Sequence, residues 1–191
     1  QMCIRDRNYT GMSTTFRTLG QAGAITPPQT IFTLENLATS SVTVVIRRLV
    51  LQMDGTGALT AVMPQIKVGR FATPSTAVGT TLAKISFDSG QASSTLVQCR
   101  GGTASDGGAA VTVISPTATY MWQQYGFRLH TQVGQVLAPD FDLMPILVSD
   151  QNYTFKLLAG EGIGVYVVTA TTASNPATNH YIVNCSWQEY L

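Results

Sequence analysis

The chain reads as an all-β protein, an antiparallel β-sandwich. Three observations predict this. Segments of alternating polar and apolar residues recur along it, rich in Val, Ile, Thr and aromatic side chains, which is the period-two signal of half-buried strands. Gly, Pro, Asn, Asp and Ser gather between those segments as turn chemistry. No heptads, no helical pattern longer than two turns and no internal repeat of fixed period interrupt them.

The clearest strands are Tyr153–Val168 and Asn179–Tyr190. In the first, Tyr153, Phe155 and Leu157 share one parity, and so do Ile163, Val165 and Val167, with the turn Ala159-Gly160-Glu161-Gly162 between. In the second, Tyr181, Val183, Cys185 and Trp187 share a parity, with Asn184, Ser186 and Gln188 opposite. That parity makes Trp187 a core anchor and Cys185 a buried small hydrophobe.

Taken in order, residues 12–29 read as an extended arm, loosened by Gly20, Gly23 and Pro27-Pro28. Residues 30–191 read as one sandwich domain, a size that can bury a sizeable core. Thr30–Glu35 is a short strand, Asn36–Ser40 a turn and Ser41–Met53 the longest strand. Val42, Val44 and Ile46 hold one parity there, but Leu49, Leu51 and Met53 continue on the other. A β-bulge at Arg47-Arg48, or a strand passing between sheets, accounts for the switch. Asp54–Gly57 is a turn, and Ala58–Met63 is ambiguous and fits one helical turn. Pro64–Phe71, Thr81–Phe87, Thr95–Arg100, Ala110–Ile114 and Tyr120–His130 are further strands. Gly101–Gly108 reads as a mobile hairpin tip, and Thr131–Leu147, with Pro139 and Pro145, as an irregular connection. Eight to ten short strands with turns between them suggest a sandwich or jelly roll.

Charged residues are only 11% of the chain, about half the usual share, against 45% hydrophobic. A surface built from Thr, Ser, Asn, Gln and Gly is poorly protected against association. A subunit that lives inside an assembly is therefore the sharper expectation, and a low-charge monomer the plainer one. The net charge of +1 and the lack of a basic run argue against direct contact with nucleic acid. No segment is an apolar membrane span, since Arg47-Arg48 interrupts the most apolar one, Val42–Met53. No signal peptide is evident. Cys3, Cys99 and Cys185 form neither a disulfide framework nor a zinc-type pair.

Candidate chemistry is sparse. No nucleophile elbow is present, and His130 and His180 are the only histidine bases. His130 falls at a strand end and His180 opens a strand, positions more typical of structural histidines. Paired carboxylates for glycoside hydrolysis would come from Asp54, Asp88, Asp106, Asp140, Asp142, Asp150, Glu161 or Glu189, but most of these sit in turn contexts. Asp140, Asp142 and Asp150 are candidate oxygen ligands for calcium, but their spacing is not that of a recognised loop. Gly101–Gly108 lacks the Lys-Ser/Thr ending of a phosphate loop. Trp122 with Tyr125 and Trp187 with Tyr190 are candidate sugar-stacking pairs. The expectation is no catalytic, cofactor-binding or metal-binding residue and no cofactor.

The texts Leu157-Leu158-Ala159-Gly160-Glu161-Gly162-Ile163 and Asn184-Cys185-Ser186-Trp187-Gln188-Glu189-Tyr190 resemble jelly-roll virion structural proteins of tailed bacteriophages. Ser41–Met53 and Trp122–His130 fit the same pattern, so the resemblance spans most of Thr30–Leu191. It implies a capsid decoration, head-fibre or tail-associated subunit in a virion. Its implied partners are other copies of itself, as a homo-oligomer and by resemblance a trimer, and other virion proteins. It carries no catalytic residues. Residues 1–11 fall outside this pattern: Met2-Cys3-Ile4-Arg5-Asp6-Arg7 resembles translated sequencing-adapter text, which implies a non-native leader, a natural start at Met12 and a metagenomic source. Without that segment the net charge falls from +1 to zero, since two arginines and one aspartate leave. A genuine arm that docks on a neighbour is the other reading of it. A lectin-like carbohydrate-binding module is the alternative function, and a hydrolase on a β scaffold a third.

Overall fold

A computed structural model describes residues 14–22, 29–55, 65–71, 80–87, 92, 94–101, 119–125, 141–142, 154–169 and 179–191. Strands account for most of them. The long ones are β1 (Thr14–Ala22), β2 (Gln29–Asn36), β3 (Thr43–Gly55), β4 (Gln65–Phe71), β8 (Thr119–Tyr125), β11 (Gly162–Thr169) and β12 (Asn179–Tyr190). Between them lie the shorter β5 (Thr80–Thr81), β6 (Ile85–Ser86), β7 (Val97–Gly101), β9 (Phe141–Asp142) and β10 (Lys156–Leu157). No helix occurs among the described residues, and so none long and apolar enough to cross a membrane.

The strands form two antiparallel sheets. The first runs β10-β3-β12-β1-β6, with β9 also paired to β3. The second runs β5-β7-β2-β11-β4-β8. All-β antiparallel sandwich architecture, as expected from the alternation, is what the chain adopts. Its core lies between the inner faces. Ile46, Leu49, Leu51, Val183, Cys185 and Trp187 come from the first sheet; Phe32, Leu34, Val68, Cys99, Ile163 and Val165 come from the second.

The parity switch in β3 is a bulge. Ser186 pairs with Arg48 and Trp187 with Ile46, so Arg47 has no partner position on β12. A strict period of two cannot point both Ile46 and Leu49 inward; one extra residue restores the register. Both are buried as a result, while Arg47 and Arg48 are exposed. A second bulge leaves Ile31 unmatched between Thr30 and Phe32, and Ile31 joins the core beside Phe32.

Leu158–Glu161 joins β10 in one sheet to β11 in the other, so it turns a corner and does not close a hairpin. The Glu161 amide donates to Leu158 O at 3.0 Å, and Gly160 takes φ 81°. A positive φ at the third position is what a type II turn requires, and glycine adopts it without strain. The Glu161 carboxylate accepts from the Leu158 amide at 2.7 Å and from Arg70 Nη2 at 2.8 Å. Arg70 also donates to the Lys156 carbonyl and lies 5.4 Å from the Phe155 ring centroid. Asn36, fully buried, ties the corner to β2 and β3. Its Nδ2 donates to Val42 O at 2.9 Å and to Leu157 O at 3.1 Å. Its amide donates to Glu161 O, and its carbonyl accepts from the Gly160 amide.

Four expectations are corrected. The stretch expected as an arm, residues 12–29, holds β1, which is paired to β12 along nine residues and to β6 on its other side. Its positions opposite Cys185, Val183 and Tyr181 are Thr18, Gly20 and Ala22, too weakly apolar to announce a strand. Thr81–Phe87 is not one strand: β5 pairs with β7 in the second sheet and β6 with β1 in the first, so the chain crosses between sheets here. The connection at Thr131–Leu147 contains β9, and β3 runs through Asp54-Gly55, expected as a turn. Ala58–Met63, Ala110–Ile114 and residues 1–11 lie outside the described residues.

Candidate functional site

The residues that sequence chemistry singles out do not converge. Of the carboxylates, Asp88, Asp106, Asp140 and Asp150 lie outside the described residues, as does His130. His180 stands opposite Asp54 in the β12–β3 register. Asp142 is exposed on β9, opposite Val50. Glu161 builds the corner. Glu189 is 8% exposed and accepts the Trp187 indole N–H at 3.0 Å. No group of three or more His, Cys, Asp or Glu among the described residues is placed to hold a metal ion. Gly101 ends β7 against the Leu82 side chain, and the rest of Gly101–Gly108 is outside the described residues.

Trp187 is fully buried, so it is a core residue and not a stacking platform. β8 sets Trp122 opposite Val68 and Tyr125 opposite Gln65. Cys99 and Cys185 are buried free thiols. Burial raises both pKa values, and for Cys99 the neighbouring Cys185 adds to the rise. Neither is therefore a thiolate nucleophile at neutral pH. On the outer face of the second sheet Glu35 is 7% exposed; burial raises its pKa, partly offset by Arg100.

One concave feature draws side chains together. It is a half-open groove of about 330 Å³ on the outer face of the first sheet, lined by Thr43, Val45, Arg47, Thr154, Lys156, Leu158, Tyr190 and Leu191. Register explains the set. Lys156 pairs with Val45, Val45 with Gln188 and Thr43 with Tyr190, so three strands present one row of outward positions. Val45 is 3% exposed yet lies outside the core cluster, and it forms the floor. Arg47, the bulge residue, is held by β12. Its Nε donates to Gln188 Oε1 at 2.6 Å and its Nη2 to Tyr190 Oη at 2.6 Å; Tyr190 in turn donates to Gln188 Oε1 at 2.5 Å. The lining has two cationic side chains and no carboxylate side chain.

Sequence reasoning offered a bulge at Arg47-Arg48 or a strand passing between sheets, and Trp187 with Tyr190 as a stacking pair, but not the groove. Its members come from three separate stretches, 43–47, 154–158 and 190–191, and only the β10-β3-β12 register unites them. In comparisons with known proteins, no family model, curated protein or solved structure matches the chain.

Proposed function

We propose that the protein is a non-enzymatic structural subunit of a virus particle, a capsid decoration or tail- or fibre-associated protein that acts through homo-oligomeric assembly. The observation that carries this reading is the path of the chain. β1, β2, β3 and β4 alternate between the sheets, and β10, β11 and β12 do so again. Setting the added strands β5, β6, β7 and β9 aside, the sheets run β10-β3-β12-β1 and β8-β4-β11-β2. We read this order as a jelly roll of eight strands, an architecture used by viral capsid and lectin domains. Fold does not fix function. The assembly role draws further support from the 11% charged composition and from the exposed apolar Ile85 and Phe87 beside the β6 edge. Leu157–Ile163, part of the text that resembles phage virion proteins, forms the inter-sheet corner.

Mass spectrometry of purified virus particles from the source that encodes the chain tests this. Its peptides are expected in the particle fraction; their confinement to the cellular fraction would overturn the reading. A lectin-like role is the second reading, favoured by the groove between Arg47 and Tyr190.

A further inference from the structure

We propose that the groove on the outer face of the first sheet binds an acidic saccharide unit, a sugar that bears a carboxylate, with Arg47 as its anchor. A guanidinium has five N–H donors in a fixed fork. Gln188 and Tyr190 occupy the edge formed by Nε and Nη2. The end-on edge, with one N–H from each Nη, stays available for a bidentate carboxylate. The side chain is also pre-oriented: the bulge aims it, and β12 holds it at two points. Lys156 supplies a second positive charge from the neighbouring strand, and the lining side chains include no carboxylate.

The rest of the lining selects the body of the ligand. Thr43 and Thr154 bring hydroxyls that exchange hydrogen bonds with sugar hydroxyls, and Leu158 and the Tyr190 ring offer apolar surface for the C–H face of a pyranose. At about 330 Å³ the groove sits at the small end of ligand pockets, about 300–1,000 Å³, which suits one sugar unit better than an extended chain segment. The inference does not depend on the assembly reading, because either role is compatible with a sugar site on an outer face.

Calorimetric titration of the full chain with D-glucuronate, N-acetylneuraminate, D-glucose and N-acetylglycine tests it. At least one acidic sugar is expected to bind saturably, and glucose about tenfold more weakly or not at all, as for the loss of one charge-assisted hydrogen bond. Arg47→Lys keeps the charge but not the fork and should weaken binding by about tenfold, with an unchanged melting temperature. Lys156→Gln should weaken it less. Four results would overturn the proposal: no binding by either acidic sugar, equal binding of glucose, N-acetylglycine matching the acidic sugars, or full affinity in Arg47→Lys.

Discussion

Replacing Trp187 by alanine is the sharpest test of the core. The ring is fully buried, opposite Ile46 on β3 and Phe16 on β1, in the central strand of the first sheet. Truncating such a ring costs about 3–5 kcal/mol through lost transfer energy and the cavity left behind. A second loss comes from Glu189, which is 8% exposed and accepts the indole N–H at 3.0 Å. Leaving that carboxylate without its donor costs a further ~1–3 kcal/mol. The expected total, about 4 kcal/mol or more, is a large share of the ~5–15 kcal/mol that holds an ordinary domain folded. Urea unfolding followed by far-ultraviolet circular dichroism measures it as a lower midpoint at unchanged slope. Trp187→Phe and Glu189→Leu each remove the hydrogen bond, and a double-mutant cycle of the two should give a coupling of about 1 kcal/mol. A Trp187→Ala loss below about 1 kcal/mol would refute the packing argument.

Other consequences follow from the corner and the outer face. Gly162→Ala would place a Cβ 2.1 Å from Phe71 Cζ and 2.8 Å from the Leu34 carbonyl oxygen. The ring can swing but the backbone cannot, so a loss of about 1–3 kcal/mol is expected by thermal melting, and Phe71→Leu should not restore it. Asn36→Ala removes the donor that Val42 O and Leu157 O share; Val42 O keeps the Ser40 hydroxyl at 3.4 Å, so the cost should be about 1–3 kcal/mol in the same assay. Glu35 has a folded-state pKa above its ordinary value, so the folded chain holds this proton more tightly than the unfolded chain does. Stability from this site is therefore present at acid pH and falls as pH rises through the raised pKa. Glu35→Gln should melt higher than the parent at neutral pH, and the gap should close below the ordinary carboxylate range.

Much of the sandwich was legible because its signals are local. The jump from Ile46 to Leu49 announced a bulge or a crossing at Arg47-Arg48, which the register resolves as a bulge, and the parity of Val183, Cys185 and Trp187 announced the inner face of β12. β1 was not legible, because Thr18, Gly20 and Ala22 become strand residues through pairing with β12 and not through their own propensity. Thr81–Phe87 reads as one strand because a crossing between sheets leaves little trace in seven residues. The groove was hidden for a different reason. Arg47, Lys156 and Tyr190 become neighbours only once three strands are in register, and outward polar positions carry no periodic label of their role.

The proposed role requires a closed assembly of identical subunits. Sedimentation equilibrium at micromolar concentration tests it most directly. Closed symmetry is the usual form of such assemblies, and a trimer of the 20.4 kDa chain would sediment as a single species of about 61 kDa. Its mass should hold on dilution, as an interface of well over about 800 Å² per partner with an apolar centre would ensure. A single species of 20.4 kDa across the whole concentration range would contradict the claim and move the sugar-binding reading to first place.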